Sequence, residues 1–139
     1  MSPAHIELGH IELDRFEPNA PGECRGMQVK DVLARVGDKW SLCVVGALYG
    51  GPMRFNEMKR RIGGISQRML TLTLRGLERD GLVTRAVYPT NPPSVEYALT
   101  DMGKTLVAPV LALVQWSEAH LSEIERARGS FDAAAQRTE

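Results

Sequence analysis

The chain has 139 residues, 43% of them apolar and 24% charged, which leaves room for one domain with its own core and excludes an intrinsically disordered chain. Its formal net charge is zero, yet residues 25–88 carry 12 Lys/Arg against 5 Asp/Glu, a local +7 that the remaining segments offset with −7. Two cysteines and three histidines exclude a disulfide scaffold and a finger-type zinc site, and no apolar run approaches the roughly 18 residues of a membrane span.

Residues 1–26 include Pro3, Pro18, Pro21 and several glycines. His5-Ile6-Glu7-Leu8 is echoed by His10-Ile11-Glu12-Leu13, too short an echo for a repeat architecture. The segment reads as a mobile arm or a strap exchanged with a partner. It is acidic and lacks a basic start followed by an apolar stretch, so it does not read as a signal peptide, and the expected compartment is the cytoplasm.

Helical periodicity starts at Val29. Val29, Val32, Leu33 and Val36 form one apolar stripe, with Gly37 as its stop. Asp38 is placed to cap a second helix, in which Trp40, Cys43, Val44, Ala47 and Leu48 share a face before Gly50-Gly51-Pro52 ends it. That stripe predicts a buried, inert Cys43. A third, shorter helix covers Phe55 to Ile62, with Phe55, Met58 and Ile62 inward and Lys59, Arg60 and Arg61 outward. Gly63-Gly64 makes a tight turn, Ile65 plugs the core, and Ser66 caps a fourth helix through Arg79 whose buried stripe is Leu70, Leu74 and Leu77. Gly81 supplies its stop.

Two extended segments follow, residues 82–88 and 95–99, around the proline-stiffened loop Pro89-Thr90-Asn91-Pro92-Pro93-Ser94. Thr100 then caps a long final helix over residues 101–126, in which Pro109 predicts a bend. Residues 127–139 read as a frayed tail, which leaves 27–126 as the folded domain.

A short helix, a turn, a second helix and a hairpin make a winged helix-turn-helix, so the expected class is α+β, mainly α, with a long C-terminal dimerisation helix. In such a fold the second helix enters the major groove of double-stranded DNA. If the leucine stripe of the fourth helix faces the core, Gln67, Arg68, Thr71 and Arg75 face outward. Those side chains suit base reading: Arg pairs with guanine, Gln with adenine, and Thr bonds a base or touches the thymine methyl. Arg54, Lys59, Arg60 and Arg61 would meet backbone phosphates, which position without reading. Ser66 at the helix start, with Asn91 and Ser94 at the wing tip, completes the candidate DNA-binding set.

The wording of several segments is also specific. Gly37-Asp38-Lys39-Trp40-Ser41-Leu42, Arg54-Phe55-Asn56-Glu57-Met58-Lys59, Ile65-Ser66-Gln67-Arg68-Met69-Leu70-Thr71 and Leu77-Glu78-Arg79-Asp80-Gly81-Leu82-Val83 closely resemble the HxlR-type family of bacterial regulators, related to the MarR-like group. So do Tyr88-Pro89-Thr90, Pro92-Pro93, Val95-Glu96-Tyr97-Ala98-Leu99-Thr100 and Gln115-Trp116, and the resemblance spans roughly residues 28–120. It implies a homodimeric winged-helix transcription regulator; two recognition helices related by its two-fold axis would enter successive major grooves and so meet an inverted-repeat operator, and a small molecule or electrophile is the candidate effector. It also implies a dimer interface from the first and last helices, with Val29, Val32, Leu106, Val110, Leu113 and Trp116 as its candidate residues. The wide apolar face of the last helix points the same way, because a small winged helix cannot cover it alone.

The chain departs from the family at two places. Many members carry a sensing cysteine just before the first helix; here that position is Met27, and Cys24, the candidate redox sensor, lies three residues upstream. Where the family often has a basic residue after the wing's proline pair, this chain has Ser94. A winged helix serving only as a protein-interaction module stays open, although such modules usually lose the basic groove-facing residues that Arg68 and Arg75 represent. An enzyme has no support: there is no glycine-rich phosphate loop after a strand, no metal set and no histidine near either cysteine, so neither catalytic residue nor cofactor is expected.

Overall fold

The computed structural model describes residues 28–137, in the order α1 (Val29–Val36), α2 (Lys39–Leu48), β1 (Met53–Arg54), α3 (Phe55–Ile62), α4 (Gln67–Arg79), β2 (Val83–Tyr88), β3 (Ser94–Leu99), α5 (Asp101–Thr105) and α6 (Val107–Arg137). The expected arm of residues 1–26 lies outside the described residues, and Cys24 with it.

Local chemistry sets most boundaries. The Asp38 carboxylate accepts from the Trp40 and Ser41 N–H groups at 3.1 and 3.2 Å. Ser66 Oγ accepts from Met69 N–H at 3.0 Å, and Thr100 Oγ1 from Gly103 N–H at 2.9 Å. Each of the three caps satisfies donors that the first turn of a helix leaves without intrahelical partners. At the other end of α4, Gly81 takes a φ of 77°, and Leu82 N–H turns back to donate to the Leu77 carbonyl at 2.9 Å.

The core forms where these helices meet the sheet. Val44, Val45 and Leu48 of α2, Met58 of α3 and Leu70, Leu74 and Leu77 of α4 pack with Val83 and Leu99, and Ile65 plugs the same core as expected. The chain is thus mostly helical, with a small antiparallel sheet forming the wing. That sheet has three strands in the order β1-β3-β2, not the two of a simple hairpin. The unexpected β1 sets Met53 opposite Tyr97 and Arg54 opposite Glu96, while β2 and β3 pair from Val83↔Leu99 to Tyr88↔Ser94. A two-residue strand has no periodicity of its own; only its partner defines it.

Three expectations need correction. The single final helix is two, broken at Leu106: Pro109 sits where a helix lacks an N–H partner anyway, and Val110 N–H makes the bond back to the Leu106 carbonyl at 3.1 Å. The second of them continues to Arg137, through the expected tail, because Ala127 and Ala133–Ala135 outweigh Gly129 and Ser130 in helix propensity. Cys43 is exposed, since the buried face of α2 is Ser41, Val44, Val45, Ala47 and Leu48, rotated by about one residue from the expected stripe.

Candidate nucleic-acid interface

Helix α3 is short and strongly two-sided. Met58 is fully buried, Phe55 and Ile62 pack against the core beside it, and Lys59, Arg60 and Arg61 stand exposed in the last turn. Cations there also complement the partial negative charge of a helix C-terminus, so the cluster costs the fold little. Gly63 and Gly64, at φ 66° and 71°, then reverse the chain in a backbone region where a Cβ would be strained.

Helix α4 buries Leu70, Thr73, Leu74, Gly76 and Leu77. Gln67, Arg68 and Arg75 are exposed, as the leucine stripe requires. Arg68, Leu72, Arg75 and Arg79 recur at i, i+4, i+7 and i+11 and therefore share one outward stripe. Leu72, 52% exposed, is the member that the sequence reading missed; an exposed leucine between two arginines was its signal. Thr71 lies at the flank of this stripe, half-buried, and its hydroxyl donates to the Gln67 carbonyl at 2.9 Å. Ser66, although exposed, is occupied as an acceptor by its cap.

The wing adds a second feature. A groove of about 700 Å³ runs between the start of α3 and the hairpin loop, and it brings together Arg54, Arg60, Asn91 and Ser94 from three separate segments. Among the described residues, Glu57 is the one carboxylate in its wall. Ser94 Oγ is buried there and has no hydrogen-bond partner among the described residues. Lys59 is exposed on α3 but outside this groove.

The expected dimer residues divide. Val29 and Val32 of α1, with Leu33, are 41–48% exposed, and α1 buries no residue. Leu113 and Trp116 of α6 are about half exposed, as are Leu111, Val114 and Leu121. The Trp116 ring stacks on His120, 4.5 Å between centroids. Val110, in contrast, is 5% exposed within the chain's own core, and half-buried Leu106 packs against that core, so Val110 is removed from the candidate interface. Among the described residues no helix is long and apolar enough to cross a membrane.

A contact that the expectations from sequence did not include ties α1 to α4. Arg35 Nε donates to Asp80 Oδ2 at 2.9 Å across 45 residues, and the guanidinium lies against Gly76, where any Cβ would collide with it. Asp80 is the residue that ends α4.

The model of the family described as "HxlR-like helix-turn-helix" matches residues 35–125. The HTH-type transcriptional regulator YtfH of Escherichia coli K12 is 41% identical over 95 residues, covering 68% of this chain and 75% of its own. Among solved structures, the transcriptional regulator YtfH of Salmonella typhimurium superposes with a TM-score of 0.69 at 35% identity, over 78% of this chain and 99% of the other. The redox regulator HypR in its reduced form superposes with a TM-score of 0.66 at 44% identity, over 70% and 97%.

Proposed function

The chain belongs to the HxlR-like helix-turn-helix family of DNA-binding transcriptional regulators, and from that premise we propose that it acts as a homodimer on an inverted-repeat operator in the cytoplasm. The observation that carries this reading is the stripe of Arg68, Leu72 and Arg75 on α4, solvent-facing and directly opposite the buried Leu70, Leu74 and Leu77. Laid in a major groove, Arg68 and Arg75 offer paired donors to guanine O6 and N7, Gln67 suits adenine, and Leu72 and the Thr71 methyl suit a thymine methyl. Lys59 and Ser66 face the flanking backbone in this arrangement.

Arg54, Arg60, Asn91 and Ser94 hold a phosphate between the helix-turn-helix and the wing. The buried Ser94 hydroxyl, with no partner of its own, supports that role: a phosphate oxygen satisfies a polar group that burial otherwise penalises. Ser94 thus takes over part of the contact that a basic wing residue makes elsewhere in the family. Two copies pair through α1 and α6, because Val29, Val32, Leu113 and Trp116 stay exposed among the described residues and a second copy would cover them. An effector then acts by altering the geometry of that pair, and Cys24 remains the candidate where the effector is an oxidant or electrophile.

The experiment is a mobility shift of the protein on the DNA upstream of its own coding region, against shuffled DNA of equal composition at the same salt. The reading expects a discrete complex on the first at concentrations that leave the second free. Equal affinity for both, or for neither, favours the interaction-module alternative and refutes it.

A further inference from the structure

We infer that the free edge of the wing is a docking site for the chain's own N-terminal arm, which adds Ile11-Glu12-Leu13 to β2 as a further antiparallel strand. β2 is the outer strand of the order β1-β3-β2, and among the described residues no strand pairs with its far side. Thr100 N–H donates to the Leu82 carbonyl at 3.0 Å, which fixes the phase of the ladder. Thr84, Ala86 and Tyr88 therefore turn their backbone groups to β3, and Val83, Arg85 and Val87 present theirs to the open side. Such an edge invites another strand unless a proline, a bulge or a cover blunts it. β2 has no proline, and its pairing with β3 runs from Val83 to Tyr88 without a bulge. Its side chains are open as well: Val87 and Tyr88 are 54% and 45% exposed, and Arg85, also exposed, forms no ion pair among the described residues. Arg85 is the one charge on the strand, and it selects an acidic occupant.

The arm matches this edge in pattern, charge and reach. His5-Ile6-Glu7-Leu8 and His10-Ile11-Glu12-Leu13 alternate polar and apolar residues at the period of a strand. Residues 1–24 carry five carboxylates, Glu7, Glu12, Asp14, Glu17 and Glu23, against Arg15 alone. The two tetrapeptides start five residues apart, an odd offset that turns their side chains to opposite faces of a continuous strand, so one of them docks at a time. The second needs the shorter loop back to α1. The path from Gln28 along α1, across the Arg35–Asp80 contact and up β2 to Arg85 is about 40 Å at most, and the extended chain from Leu13 to Gln28 spans about 50 Å. That loop arrives from the Asp80 end of β2, so Leu13 lies nearest Thr84 and the added strand runs antiparallel. Glu12 then stands opposite Arg85 and exchanges both backbone bonds with it, while Ile11 and Leu13 cover Ala86 and Thr84 beside the Tyr88 ring.

Amide hydrogen exchange of the full-length chain, read residue by residue by NMR, tests the docking. The Arg85 and Val87 amides exchange roughly tenfold more slowly than in Glu12→Pro, which has no N–H to give the new ladder, while Thr84 and Ala86, bonded to β3, exchange alike in both. Glu12→Lys loses the same protection, and Glu12→Lys combined with Arg85→Glu recovers it. Equal exchange of Arg85 and Val87 in the wild type and Glu12→Pro overturns the assignment, whether the edge is bare or, where protection rises with protein concentration, paired with β2 of a second copy. Protection that falls when the labelled wild type is mixed with excess unlabelled Glu12→Pro gives the edge to a partner's arm and overturns the same-chain contact. The consequence for DNA rests on the reading proposed above, in which the wing lies against the duplex. An acidic strand along the wing repels phosphates, so Glu12→Pro binds a random-sequence duplex several-fold more tightly at low salt, and the gap closes as salt rises. Slow exchange at Arg85 with unchanged DNA affinity supports the docking and refutes only that consequence.

Discussion

Truncating Arg68 and Arg60 in turn separates base reading from phosphate positioning. Arg68 is exposed in the first turns of α4 and forms no ion pair among the described residues, so Arg68→Ala leaves the free protein's stability unchanged. Its cost therefore falls on the complex. A bidentate arginine–guanine contact discriminates by about 1–3 kcal/mol, and a symmetric dimer contains two, so cognate affinity drops by roughly 30-fold to 20,000-fold while random DNA loses far less. Arg60 lines the groove between α3 and the wing, where a phosphate binds in the proposed mode. Arg60→Ala removes two phosphate contacts per dimer, which lowers the salt slope by about 1.8. The affinity advantage of the wild type over this variant then shrinks by about 12-fold between 50 and 200 mM salt, on cognate and random DNA alike. Fluorescence anisotropy of both variants on both DNAs at the two salts reads all four quantities. If Arg68→Ala weakened both DNAs equally and flattened the salt dependence, the helical register assigned to α4 would be wrong.

Other perturbations reach different parts of the account. Ser66→Ala removes the cap that holds Met69 N–H at 3.0 Å and lowers stability by about 0.5–2 kcal/mol, measured by urea unfolding; an unchanged midpoint contradicts the capping role. Leu113→Asp with Trp116→Asp changes two exposed side chains, so the chain stays folded by circular dichroism but sediments as the 15.3 kDa monomer at micromolar concentration, where the wild type sediments as a dimer. A monomeric wild type sinks the dimer. Diamide treatment changes DNA affinity little, because Met27 holds the family's sensing position; a large loss that Cys24→Ser abolishes assigns the sensor to Cys24 after all.

What was legible in the sequence is what short-range chemistry decides. Asp38, Ser66 and Thr100 cap helices because their side chains reach N–H groups two or three residues away, and Gly81 stops α4 because its own φ must be positive. The outward placement of Arg68 and Arg75 followed from the leucine stripe on the same helix. Features set by distant partners were not legible. β1 exists only against β3, and Arg35 finds Asp80 across 45 residues, although a glycine inside the α4 pattern, Gly76, was a signal of close packing. Cys43 and Val110 were misplaced for a related reason: a stripe fixes a helix's apolar side only to within about one residue, and the true orientation comes from what packs against it.

The central claim is that α4 reads bases, twice, in successive major grooves. Duplexes selected by the protein from a random pool, then probed by dimethyl sulfate protection of guanine N7, test it most directly. The account predicts two symmetric clusters of protected guanines centred about 34–36 Å apart along the duplex, with protection lost in Arg68→Ala. A single protected cluster, or binding without protection of any guanine, would contradict it.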